Sequence, residues 1–88
     1  MRTVREEHTV SEAIDLHCAL YPRLEEAYEA LTWTLAHRPE IGEIIDDFFW
    51  LYKQAGDEEM NVPALVVVYT FDADSVDVRF LLIRLPTL

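Results

Sequence analysis

Three histidines, a single cysteine and several carboxylate pairs are the residues of this chain best suited to chemistry. A structural zinc site needs four such ligands at short, repeated spacings. His17 and Cys18 are adjacent, so on a helix they point in different directions. No second Cys/His pair stands at ligand spacing, so no metal is implied, nor any other cofactor. Cys18 as a nucleophile would need an activating base and a lowered pKa. The sequence offers neither, and a small buried core residue fits Cys18 better. His17 reads as a semi-buried helix residue and His37 as a helix-end residue. Asp46-Asp47 and Asp57-Glu58-Glu59 lack calcium-loop spacing and read as solvated turns. Gly42 and Gly56 are the only glycines, so there is no glycine-rich phosphate loop. Arg79 and Arg84 stand five apart in one strand, hence on opposite faces. Asp77 shares the face of Arg79, which predicts a surface ion pair between them.

Trp33, Phe49, Trp50 and Tyr52 are the candidates for binding. Trp33 falls off the apolar stripe of its helix, and Phe49 and Trp50 cannot share a strand face. Some of these rings must therefore lie away from the central core, and aromatics are over-represented at interface hot spots. The competing reading is a second small core under the helices.

The elements that position these residues centre on 62–85. Two runs rich in β-branched and aromatic residues flank Asp72-Ala-Asp-Ser, the pattern of a β-hairpin. Leu65, Val67, Tyr69 and Phe71 share one face of the first strand. Val76, Val78, Phe80 and Leu82 share a face of the second, whose other face carries Asp77 and Arg79 before turning apolar at Leu81 and Ile83. Asp72 and Asp74 suit the turn. Earlier in the chain, Thr3 and Val4 predict a short edge strand. Thr9 with Glu12 predicts a capped helix start, followed by the stripe Val10, Ala13, Ile14, His17, Tyr21. Pro22 marks a boundary, and a second helix runs to about His37 with Leu24, Ala27, Tyr28, Leu31 and Leu35 buried. Residues 44–55 fit both a helix and a strand. Aromatic content favours a strand over 48–53, with one helical turn over 44–47 before it. The expected fold is α+β: a two-helix hairpin packed on a three- or four-stranded, mostly antiparallel sheet, as a single domain over 1–88.

The chain of 88 residues is 51% hydrophobic and carries 17 acids against 7 Lys and Arg, a formal charge of −10. That balance argues against binding a nucleic-acid backbone, which needs clustered cations. It favours a solvated acidic surface or a basic protein partner. With one cysteine and no early apolar run, the sequence predicts a cytoplasmic protein with no membrane contact. The high apolar content of so short a chain predicts surface that a partner or a second copy covers.

Two stretches, Ala30-Leu-Thr-Trp-Thr-Leu-Ala-His-Arg-Pro-Glu-Ile-Gly42 and 65–78, resemble the RelE/ParE superfamily of bacterial toxins from toxin–antitoxin pairs. The first is similar to the end of the family's second helix and its Pro-containing exit. The second resembles the family's central hairpin with a strand-end Tyr and an acidic turn. The order of elements, strand, helix, helix, antiparallel meander, is similar too. Ribosome-dependent ribonucleases of this family carry several Lys and Arg before and within the central strands, and a basic or Tyr residue near the C-terminus. Here 53–61 holds one lysine among three acids, 64–68 holds no arginine, and Arg84 alone stands near the C-terminal position. The resemblance would place Lys53, Tyr69 and Arg84 around a vestige of such a cleft. Cleavage needs cations on the scissile phosphate and a general acid or base nearby, so the resemblance implies a non-nucleolytic branch.

The leading expectation is a toxin-like protein that acts by binding protein, with an antitoxin laid over the groove between helices and sheet. The alternative is a non-toxic interaction module or homodimer on the same fold. A ribonuclease using Lys53, Tyr69 and Arg84 ranks below both because of the acidic composition. Below that stands an acidic nucleic-acid mimic, motivated only by net charge.

Overall fold

Two helices lie on one face of an open five-stranded sheet, and among the described residues no layer lies on the other. The computed structural model describes residues 1–84. The elements are β1 (Thr3–Glu6), α1 (His8–His17), α2 (Leu24–His37), a 3-10 turn (Pro39–Ile41), β2 (Glu43–Ile44), β3 (Trp50–Gln54), β4 (Ala64–Phe71) and β5 (Ser75–Arg84). The sheet order is β1-β5-β4-β3-β2, with β1 parallel to β5 and the other pairs antiparallel. The α+β class is as the sequence predicts, with five strands rather than three or four.

The core lies between the helices and the inner face of the sheet. Val10 and Ile14 of α1, and Leu24, Ala27, Leu31 and Leu35 of α2, pack on Leu65, Val67 and Tyr69 of β4 and Val76, Val78 and Leu81 of β5. Both helical stripes follow the 3.6-residue period. The helix starts differ from expectation. α1 begins at His8 with Glu7 at its N-cap, and no side chain caps it, so Thr9 and Glu12 form no capping box. Glu6 instead ties β1 to both helices, accepting from Ser11 Oγ at 3.0 Å and Tyr28 Oη at 2.5 Å. Cys18 is half-buried rather than buried.

Residues 44–47 form no helical turn. Glu43–Ile44 pairs with Leu51 and Trp50, and the Asp46 carboxylate accepts the N–H groups of Phe48 and Phe49 at 2.8 and 3.0 Å. A short acid that caps its own turn closes a hairpin here, where periodicity alone left helix and strand open. The acidic turn of the β4–β5 hairpin forms the same way. Asp72 Oδ1 accepts from the Asp74 and Ser75 N–H groups, both at 2.8 Å, which lowers the pKa of this exposed carboxyl.

Candidate functional site

The feature that shapes the surface is one extra residue in β5. Val68 pairs with Phe80, but Tyr69 pairs with Val78, so Arg79 is a β-bulge. Before it, Val76 and Val78 point inward. After it, Leu81 and Ile83 do, opposite Val67 and Leu65. Phe80 and Leu82 therefore leave the core face on which simple alternation placed them, and stand 56% and 46% exposed on the outer face. The bulge also moves Arg84 to the outer face. The expected Arg79–Asp77 pair does not form. Arg79 Nη1 meets Glu7 Oε1 at 2.7 Å and its Nε meets Thr70 Oγ1 at 3.3 Å, while Asp77 pairs with Arg5 at 3.0 Å.

Directly paired strand residues share a face, so the register maps the outer surface. Arg84 stands beside Ala64. Leu82, Val66 and Lys53 form the next row, and Phe80, Val68, Leu51 and Glu43 the one after. Asp77 and Thr70 follow. The centre is a contiguous apolar patch of Val66, Val68, Leu51, Phe80 and Leu82 that no element of the described chain covers. A sheet strand buried on one face alternates apolar with polar, whereas one buried on both reads as a continuous apolar run. Leu65-Val66-Val67-Val68 is such a run. The phase change at Leu81-Leu82 and this run were the sequence signals of an outer apolar face, which reasoning from alternation missed.

Charge on this face differs from the rest of the molecule. In a chain of net −10, the outward strand positions hold Arg5, Lys53 and Arg84 beside Glu43 and Asp77. Lys53 and Arg84 have no hydrogen-bond or ion-pair partner among the described residues. Next to the bulge, a cleft of about 440 Å³ gathers Arg5, Glu7, His8, Asp77 and Arg79. Both of its guanidiniums are committed to carboxylates, and His8 Nε2 sits 2.8 Å from Glu12. It offers an incoming phosphate no uncommitted cation.

Tyr69 lies on the other side of the sheet from Lys53 and Arg84, fully buried. Its hydroxyl donates to the Pro39 carbonyl at 2.5 Å and accepts the Gly42 N–H at 3.2 Å. Burial, with the nearby Glu40 charge, pushes its pKa up to about 12 against the lowering effect of the Gly42 contact. The structure thus brings Lys53 and Arg84 onto one face and separates Tyr69 from them by the thickness of the sheet. Tyr69 closes the passage from α2 to β2. Gly42 fits there because a Cβ would run into the Tyr69 hydroxyl and the Leu51 carbonyl.

The four aromatic candidates do not form one site. Trp33 is 62% exposed on α2, packs at a tilt against His37 with ring centroids 4.1 Å apart, and lines a groove of about 400 Å³ with Arg2, Val4, Thr32 and Ala36. Trp50 and Tyr52 point to the inner face, half-buried against the core, with Trp50 5.1 Å from the Phe71 ring. Phe49 lies in the β2–β3 turn, half-buried. The groove beside Trp33 is therefore at the β1 edge, and beneath the middle of α2 the helix and sheet are close-packed. Among the described residues no three His, Cys, Asp or Glu side chains are placed to hold a metal ion, and no helix is long and apolar enough to cross a membrane. Comparison with protein-family models, curated proteins and solved structures finds no match for this chain.

Proposed function

We propose that this chain is a protein-binding module whose working surface is the outer face of its sheet. On the resemblance, it is a toxin-like protein of a toxin–antitoxin pair that acts by binding protein rather than by cutting RNA. One observation carries the binding reading: a central strand apolar on both faces, covered by helices on one face only, with Phe80 and Leu82 open beside it. Exposed contiguous apolar surface of this kind marks interaction sites. The toxin reading draws its support from the element order, strand, helix, helix, then antiparallel meander.

Binding is favoured over RNA cleavage by the placement of the residues that would cut. Tyr69 is buried and committed to Pro39 and Gly42, away from Lys53 and Arg84, so it cannot serve as their general acid or base. The alternative of a non-toxic interaction or self-association module draws on a different observation: the outer face is close to neutral where the rest of the chain is strongly acidic.

The test is growth of a bacterial host after tight induction of the chain. Arrest that Phe80→Asp abolishes and Tyr69→Phe preserves is the expected outcome. Arrest accompanied by degradation of translated messages overturns the binding reading in favour of a ribonuclease. Normal growth with soluble, folded chain overturns the toxin reading and leaves the interaction module.

A further inference from the structure

The register of the outer face makes that face its own complement. A two-fold axis that crosses the strands between Val66 and Val68 exchanges the rows in pairs. Val66 then lies over the second copy's Val68, and Leu82 over its Phe80. Arg84 lies over Asp77, and Ala64 over Thr70. Lys53 lies over Leu51, its alkyl stem on the leucine and its ammonium beside Glu43. Each apolar side chain of the patch meets an apolar one, apart from the Leu51 contact with that stem, and the two cations without a partner among the described residues meet carboxylates, Arg84 sharing Asp77 with Arg5. An axis parallel to β4 does worse, since it sets Arg84 next to the second copy's Lys53.

We propose that the outer sheet face is the interface of a two-fold symmetric homodimer in which two sheets pack face to face about this axis. The proposal rests on the reading of this face as the protein-binding surface, and it names the occupant as a second copy. Stacked sheets pack about 10 Å apart with strands roughly 30° from aligned. Such a rotation keeps the central rows matched and shifts the corner pairs by distances that Lys and Arg side chains span.

Charge and register favour this occupant. At about 4.8 Å between strands and 3.3 Å per residue, the parts of β3, β4 and β5 that this axis superimposes present roughly 300 Å² in projection. The corrugated accessible surface is larger but stays below the roughly 800 Å² per partner of standard interfaces, which fits a dimer that dissociates on dilution. Overall charge points to a basic partner, but Lys53 and Arg84 oppose one at this face. Five of the 17 acids stand on α1 and α2, behind the sheet, and the face itself sets Arg5, Lys53 and Arg84 against Glu43 and Asp77, so the repulsion at the contact is smaller than the net charge of −10 suggests.

The experiment is light scattering on the full chain over a concentration series. The expected mass is twice 10.3 kDa at micromolar concentration, falling to the monomer on dilution. Phe80→Asp, at an exposed position, should keep the monomer's circular dichroism and melting while weakening the dimer by at least about 30-fold. Arg84→Glu and Asp77→Lys should each weaken it alone, and an equimolar mixture of the two variants should restore a dimer, because each then faces its complement. A folded chain that stays monomeric at all concentrations overturns the proposal, as does a dimer indifferent to Phe80→Asp or a mixture that fails to recover. A photo-crosslinking amino acid at position 80, used in producing cells, separates this failure from failure of the binding reading. Chain-to-chain adducts support the dimer. Adducts with another protein and none with itself overturn the dimer and keep the binding face. No adduct of either kind overturns both.

Discussion

The two faces of β4 are built from similar residues and end in opposite conditions. On the inner face Leu65, Val67 and Tyr69 are fully buried under α1 and α2. On the outer face Val66 and Val68 are shielded only by strand neighbours, and Phe80 and Leu82 beside them are open. What separates the faces is the supply of covering elements, because two helices suffice for one layer. A domain is stable when each apolar face is buried against something. The inner face meets that condition within the chain, whereas no element among the described residues covers the outer face.

The largest effects belong to the inner face. Leu31→Ala, at a fully buried helix position, should cost about 2–5 kcal/mol in denaturant unfolding, whereas Leu82→Ala should cost the isolated monomer under about 1 kcal/mol, as at other exposed positions. Similar losses at both positions in the monomer would break the contrast. Tyr69→Phe should cost about 1–3 kcal/mol, since it leaves the Pro39 carbonyl and Gly42 N–H buried without a partner. Its pH signature has a definite sign. The folded pKa lies above the ordinary tyrosine value of 10.0, so the stabilisation is complete below that pH and is lost as pH rises towards about 12. Wild type should lose stability over that window, and Tyr69→Phe should show less of this loss.

Deleting Arg79 is a sharper test of the bulge. If Arg79 is the extra residue, deletion leaves Val78 facing in, Phe80 out and Leu81 in, so the fold should survive with a change of at most about 1 kcal/mol from the lost Glu7 pair. In a regular strand the same deletion would turn Phe80 to Arg84 over and unfold the domain. The smallest effect is expected at the hairpin turn. Asp72 has a lowered pKa, so its contribution is present above the ordinary carboxyl value and fades as pH falls below it. Asp72→Ala should flatten that acid limb slightly in a thermal-melting series.

Much of this architecture was legible in the sequence. The helix stripes, the break at Pro22, the β4–β5 hairpin and the off-stripe position of Trp33 follow from periodicity and from proline chemistry. The outer face was not, because a single bulge inverts the meaning of alternation for everything after it. Val76-Asp-Val-Arg-Phe-Leu-Leu-Ile reads as two phases, and only pairing with β4 shows where one gives way to the other. The β2–β3 hairpin was hidden for a related reason. Its turn is held by the Asp46 side chain, a local bond that apolar periodicity does not register. Tyr69 was legible as a strand residue, but its partner Pro39 lies thirty residues earlier in the chain.

Hydroxyl-radical footprinting of Phe80 and Leu82, at high and at low chain concentration, tests the central claim most directly. Both side chains should be protected in the concentrated sample and labelled on dilution, while exposed Trp33 reacts equally in the two. Equal labelling of Phe80 and Leu82 at every concentration, in a folded chain, would contradict the claim that a second copy covers the outer face.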